Sequence, residues 1–240
     1  MPHTLHWFRK DLRLADNPAL EAAAMSGKVI PLYILDPGQL AQMGEASQVW
    51  LYHSLKSLRA SLGGKLLIQR GNPADILSAL RTKHDVSHIT WTRRYDPYGM
   101  AQDQSLKSDL EATGVTVTSL NGSLLWEPWD VRKPDQTPYR VFTPFYKRGC
   151  AAAPLPRPPK TAPKIECAAI DWATDDALSQ LIPRINWHPE VLSGWQPGEQ
   201  GASKALQTFQ DRALQGYKKG RDFPALQSTS RLSPHLHFGE

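Results

Sequence analysis

Five short runs of apolar and β-branched residues, separated each time by a stretch of helical periodicity, constrain this sequence more than any other feature. The runs are Thr4–Phe8, Val29–Leu35, Leu66–Gln69, His88–Thr92 and Val115–Leu120. After the second run, Val49, Tyr52, Leu55, Leu58 and Leu62 recur at three- and four-residue steps, which predicts a helix over about Ser47–Leu62. Asn17-Pro18 and Asn72-Pro73 read as helix starts, with a capping side chain (Asp16 or Asn17 in the first case) before a proline in the first turn. The second of these carries Ile76, Leu77 and Leu80. A further helix over roughly Met100–Thr113 ends at Gly114, a natural C-terminal cap. Strands that alternate with helices pair in parallel, because each crossover returns the chain to the same edge of the sheet. The expected fold is α/β: a five-stranded doubly wound parallel sheet over about residues 1–130.

In such sheets ligands sit beyond the carboxyl ends of the strands, near the switch in strand order. Two charged segments fall there, Arg9-Lys10-Asp11-Leu12-Arg13 and Arg93-Arg94-Tyr95-Asp96-Pro97. Neither G-x-G-x-x-G nor G-x-x-x-x-G-K follows the first strand, which excludes the usual phosphate cradles. The segments read either as a chromophore pocket or docking face, or as an Arg/Asp cluster that pairs with itself.

From Trp126 to Lys164 helical periodicity is lost, and five prolines fall within residues 151–164. Such a stretch cannot be regular helix or central strand, so residues 131–195 are expected to form an interdomain linker. Val141-Phe142-Thr143-Pro144-Phe145-Tyr146 is apolar enough to be expected packed rather than in water. Charge divides unevenly. Residues 1–131 hold 13 Lys/Arg and 13 Asp/Glu, residues 132–240 hold 15 and 10, and the second part therefore carries the whole net charge of +5. That excess favours polyanions only modestly. Cys150 and Cys167 lack metal-ligand spacing and read as free thiols of a reducing compartment. Neither a signal peptide nor a membrane-spanning run is evident, which makes the cytoplasm the expected location.

Helical patterning returns after Gly201, where Ala205, Leu206, Phe209, Ala213 and Leu214 make one apolar face. Near the end, Ser233-Pro234 reads as a capped helix start preceded by Thr229, Ser230 and Arg231. Hydroxyls, backbone N–H groups and a guanidinium would converge there into an anion site for a phosphate or pyrophosphate. The plainer alternative is an ordinary capped helix with a surface arginine. His235 and His237, two apart on a helix, point to different faces and make a poor metal pair. We find no Ser/His/Asp set, paired carboxylates or metal-ligand cluster, so no catalytic or metal residue is assigned.

The residues from Trp7 to Leu20 (WFRKDLRLADNPAL), Trp91 to Pro97 (WTRRYDP) and Val141 to Lys147 (VFTPFYK) together resemble signatures of the DNA photolyase/cryptochrome family. Gly198-Glu199, Tyr217, Arg221-Asp222 and the run from Thr229 to Glu240 (TSRLSPHLHFGE) resemble the opening of that family's helical FAD domain. The resemblance implies an antenna-type sheet domain over 1–130, the linker over 131–195, and the truncated start of an all-α FAD-binding domain over 196–240. It implies FAD as cofactor, contacted by Tyr217, Thr229, Ser230, Arg231, Leu232 and Ser233, and DNA backbone contact by Arg221. It also implies a light-harvesting antenna of folate or deazaflavin type. The carboxylate that contacts folate in one branch would fall near Gly99, where none exists, so no antenna residues are assigned. The activity implied is that of a deoxyribodipyrimidine photolyase-type lyase, in which reduced FAD passes an electron, under light, to a pyrimidine dimer flipped out of damaged DNA. A cryptochrome-type photoreceptor, a stand-alone nucleotide- or chromophore-binding α/β domain and a (6-4) photoproduct enzyme are the alternatives. A monomer is expected; this chain alone is expected to be inactive and poorly soluble, its final helix having neither C-cap nor partner helices, with apolar faces exposed over 200–240.

Overall fold

The structure, a computed structural model, describes residues 3–172 and 177–240. The part of the expected linker at 173–176 lies outside the described residues. Strands β1 (His3–Phe8), β2 (Val29–Leu35), β3 (Leu67–Arg70), β4 (Val86–Thr92) and β5 (Thr116–Leu120) form one parallel sheet of order β3-β2-β1-β4-β5. The chain winds outward from β1 to β3, returns to β4 beside β1, and winds outward again. The order therefore reverses between β1 and β4, as expected of a doubly wound sheet.

The connecting helices are α1 (Pro18–Ser26), the short α2 (Pro37–Leu40), α3 (Glu45–Ser61), α4 (Pro73–His84) and α5 (Pro97–Glu111). Asn17 caps α1 by accepting from Leu20 N, and Asn72 caps α4 by accepting from Ala74 N. The α5 helix begins earlier than its periodicity suggests because the Asp96 carboxylate accepts from Gly99 N and Pro97 fits the first turn. One face of the sheet packs Leu5, Trp7, Ile30 and Leu32 against Leu77 and Leu80 of α4 and Leu106 and Leu110 of α5. The other packs Phe8 and Leu35 against Leu20 of α1 and Leu51, Leu55 and Leu58 of α3.

Beyond the sheet, α6 (Phe142–Pro144) runs into a π-helical turn (Phe145–Gly149). It is followed by α7 (His188–Val191), α8 (Glu199–Arg212), α9 (Tyr217–Gly220) and α10 (Ser233–Phe238). The connecting stretch is tied back to the sheet. Val29 N donates to Glu166 O and Ala168 N donates to Val29 O, at 2.8 and 2.9 Å, forming a bridge beside Cys167. Ala168 joins the first core, and Ala177, Leu178 and Leu181 join the second. Both cysteines are free. No helix among the described residues is long and apolar enough to cross a membrane.

One expectation is reversed. Val141, Phe142 and Tyr146 are 63, 73 and 60% exposed. Phe142 and Tyr146, four residues apart, stack on each other at 13° and 5.9 Å, while it is Gly149 and Cys150 that turn inward. The rings shield one another instead of entering either core.

Candidate cofactor site

The C-terminal helices are positioned by the loop after β1. The Glu199 carboxylate, at the start of α8, accepts from Leu14 N and Ala15 N at 2.9 Å each. At the end of α10, Leu12 N donates to Phe238 O (3.1 Å) and the Arg13 guanidinium donates to Gly239 O (3.0 Å). Gly239 is left-handed, with φ 68°, and a Cβ there would lie 2.2 Å from Lys10 O, so this contact demands glycine. The expected absence of a C-cap is thus corrected: Gly239 caps α10 and seats it on the sheet domain.

The first charged segment is a docking face for the chain's own C-terminal helices, and its charges are also paired within the protein. Arg9 forms a bidentate pair with Asp103 of α5 (2.5 and 2.9 Å), and its guanidinium carbon lies 4.7 and 5.7 Å from the rings of Trp7 and Trp91. The Asp11 carboxylate accepts from Arg9 N (2.6 Å), the Thr92 hydroxyl (2.5 Å) and the Asn17 amide (3.2 Å). In the second segment Arg93 pairs with Glu127 (2.7 Å) and Arg94 with Asp96 (2.8 Å). The Tyr95 hydroxyl donates to Glu127 at 2.8 Å, and burial followed by that hydrogen bond pushes its pKa up. These groups are paired with one another in this structure.

An open cavity of about 540 Å³ lies between the Gly194–Gln196 turn, α8, the loop 227–231 and α10. Its α8 wall carries Lys204, Thr208 and Arg212, one turn apart on a single stripe, beside Ala205, Phe209 and Ala213. Gly201 lets α8 close over the preceding turn, since a Cβ there would fall 1.5 Å from Gln196 O. Arg231 adopts φ 55° and lies 3.9 Å over the Trp195 ring. Trp195 meets Trp50 of α3 edge-on at 5.5 Å, and Trp50 meets His235 at 5.1 Å. Behind the cavity, Glu240 accepts from Trp50 Nε1 (3.1 Å), pairs with His235 Nδ1 (2.5 Å) and accepts from the Ser54 hydroxyl. Among the described residues, the lining holds three cationic side chains and no Asp or Glu. A wall of that kind suits the phosphates of a ligand.

Thr229, Ser230 and Arg231 line this cavity. Tyr217 stands beside it, its ring edge-on to Phe209 at 5.6 Å. Leu232 is not in the lining, and Ser233 faces a neighbouring groove with Trp50 and Pro234. The expected Ser233 cap is corrected as well. Leu232 is the N-cap residue, already right-handed helical, and no side chain caps α10. The left-handed turn at Arg231 brings the chain into the helix one residue early and leaves Ser233 inside the first turn. The anion-binding character therefore comes from side chains on α8 and the loop, not from the short α10. Arg221 is exposed, 5.7 Å over the Tyr217 ring and 3.7 Å from Asp222. His235 is buried against Glu240 while His237 is exposed. No group of three or more metal-ligating side chains occurs among the described residues. Sequence reasoning missed Lys204, Arg212 and Trp195; the four-residue spacing of Lys204, Thr208 and Arg212 was the available signal, overshadowed by the apolar stripe beside it.

The DNA photolyase family model matches residues 4–164. A deoxyribodipyrimidine photo-lyase of Agrobacterium fabrum is 44% identical over 98% of this chain and 50% of its own length. Cryptochrome-2 of Arabidopsis thaliana is 35% identical over 99% of this chain and 41% of its own. Among solved structures, a bacterial class III photolyase from Agrobacterium tumefaciens superposes with TM-score 0.92 at 42% identity, covering 100% of this chain and 51% of that one. The chain thus spans about half the length of these relatives. With the sheet, the β1 loop and the α8–α10 segment matched together, the chain belongs to the DNA photolyase family.

Proposed function

We propose that this chain forms the phosphate-binding side of an FAD site in a light-dependent DNA-repair lyase that splits cyclobutane pyrimidine dimers. One observation carries the reading: Lys204, Arg212 and Arg231 converge on a cavity that no carboxylate of the described residues lines, at the place where Thr229, Ser230 and Arg231 are expected to meet FAD. When bound, FAD would supply light-driven electron transfer to the pyrimidine dimer. The chain's own residues bind and orient. The Arg231 guanidinium is held over Trp195 and makes no ion pair among the described residues, Thr229 and Ser230 add hydroxyl donors, and Tyr217 flanks the entrance. Arg221, exposed beside them, is placed to meet a DNA phosphate. We assign residues 1–130 to an antenna domain, 131–195 to the connection and 196–240 to the opening of the helical FAD domain. The antenna itself, of folate or deazaflavin type, is left without ligands here.

A cryptochrome-type photoreceptor is the second reading, favoured by the 35% identity to Arabidopsis cryptochrome-2 along nearly the whole chain. A dimer-containing oligonucleotide, incubated with the full-length flavoprotein under blue light, separates the two by whether the dimer is split.

For this chain, the cavity is too open to bury most of a ligand as large as FAD, so its affinity is expected to be weak. Equilibrium dialysis should show FAD retained in preference to riboflavin, competed by pyrophosphate and lost in Arg231→Ala. Equal retention of riboflavin, which lacks phosphate, would refute the phosphate-side assignment.

A further inference from the structure

Residues 132–148 hold five Lys/Arg and a single Asp. The acid, Asp135, pairs with Lys133 at 3.6 Å, and Arg132 donates to the carbonyls of Pro128 and Gln136. Arg140, Lys147 and Arg148 are exposed and make no ion pair among the described residues. Three uncompensated cations thus bracket the exposed, mutually stacked rings of Phe142 and Tyr146.

The scaffold beneath is close-packed. Gly149, at the end of the π-helical turn, approaches Val131 and Tyr139 so closely that a Cβ would lie 2.7 and 2.9 Å from their atoms. Tyr139 in turn packs edge-on to Phe145 at 6.3 Å. The rings are therefore presented from a supported turn.

We propose that this segment is a binding surface for single-stranded DNA, with phosphates on Arg140, Lys147 and Arg148 and a base stacked on the Phe142–Tyr146 pair. Cations without counter-ions favour a polyanion over an apolar protein partner. Exposed ring faces favour bases that are unstacked, since a duplex hides the faces of its own. The inference rests on the DNA reading above for its choice of nucleic acid. It adds a second contact region on the connection, apart from Arg221.

Fluorescence anisotropy of a labelled oligothymidylate with the 240-residue chain tests it, because undamaged DNA is bound without flavin or lesion. Phe142→Ala with Tyr146→Ala should weaken binding about tenfold and leave the salt dependence unchanged. Arg140→Ala, Lys147→Ala and Arg148→Ala together should reduce the slope of log affinity against log salt by about 2, at about 0.7 per phosphate contact. All five side chains are exposed, and circular dichroism verifies that the variants fold. Unchanged binding in the aromatic variant overturns the proposal, as does a duplex of equal length that binds as tightly. Loss of self-association in the aromatic variant, with no oligonucleotide binding by the parent, also overturns it by assigning the face to protein. FAD retention in the same samples keeps the two readings apart: absence of oligonucleotide binding in a chain that retains FAD defeats only this surface.

Discussion

Arg9 lies beside two buried tryptophans, and its charge is tolerated there because Asp103 meets it with two oxygens. Removing one member of so well-shielded a pair strands the other, at about 3–5 kcal/mol. Asp103→Ala should therefore lower stability by about that amount in urea titrations, whereas Glu111→Ala, which breaks only the exposed Lys107 pair, should change it by less than about 0.5 kcal/mol. His6 is a second buried titratable group of this kind. Its Nδ1 lies 2.8 Å from the Thr90 hydroxyl and its Nε2 has no partner among the described residues. Burial, partly countered by Asp11 and reinforced by Arg9, lowers its pKa from 6.5 to about 4. The unfolded chain thus takes up a proton near pH 6.5 that the folded chain refuses until about 4. Stability is full above that window and falls through it by about 3 kcal/mol. His53, His84, His88 and His237 are shifted in the same direction by burial. The His6→Gln variant isolates the His6 share, and its melting temperature should vary less between pH 6.5 and 4 than that of the parent. Single residues of this kind were barely legible in the sequence. Gly99 stood out for lacking a carboxylate, and the structure adds that a Cβ there would meet the Arg94 side chain at 2.4 Å.

The elements were more legible, for a physical reason. A strand or helix buried on one face announces its period in its own residues, so all five strands and the four longer sheet helices follow from Leu, Ile and Val spacing together with Asn17 and Asn72 as caps. What a segment docks against carries no such local signal. The charged loop after β1 gave no hint that it would hold both Glu199 of α8 and Gly239 of α10, because these partners lie 185 and 226 residues away. For the same reason the Ser233 cap was misread: the left-handed turn at Arg231 accompanies a contact with the distant Trp195 ring, outside the local pattern. The docking of α10 can be tested directly. Gly239→Ala combines a left-handed backbone with a clash against Lys10 O, and should destabilise the contact by at least about 2 kcal/mol. Trypsin should then cut faster after Arg221 and Arg231, while the sheet domain resists digestion. Unchanged cleavage would mean that α10 does not depend on the β1 loop.

For the whole molecule, the same contacts set a gradient of local stability. The sheet is covered on both faces, and residues from β1, β2 and β4 are completely buried. The α8 helix buries only Gly201 and Ala202, and Leu206, Leu214, Phe223, Leu226 and Leu236 are exposed beyond or beside it. Between these extremes, α10 buries His235 and Phe238 and is bonded to the β1 loop. Few buried contacts mean cheap local opening, so amide exchange should report three tiers rather than one. Amides of β1, β2 and β4 should exchange only through global unfolding, those of α10 at an intermediate rate, and those of α8 fastest of the longer helices. The Lys204–Thr208–Arg212 wall belongs to the fastest tier, so a phosphate ligand that bridges it to Arg231 should slow α8 more than any other element. Measured with and without saturating FAD, that selective protection would tie the weakest part of the fold to the ligand it is proposed to hold. Uniform protection, or protection confined to the sheet, would place the ligand elsewhere.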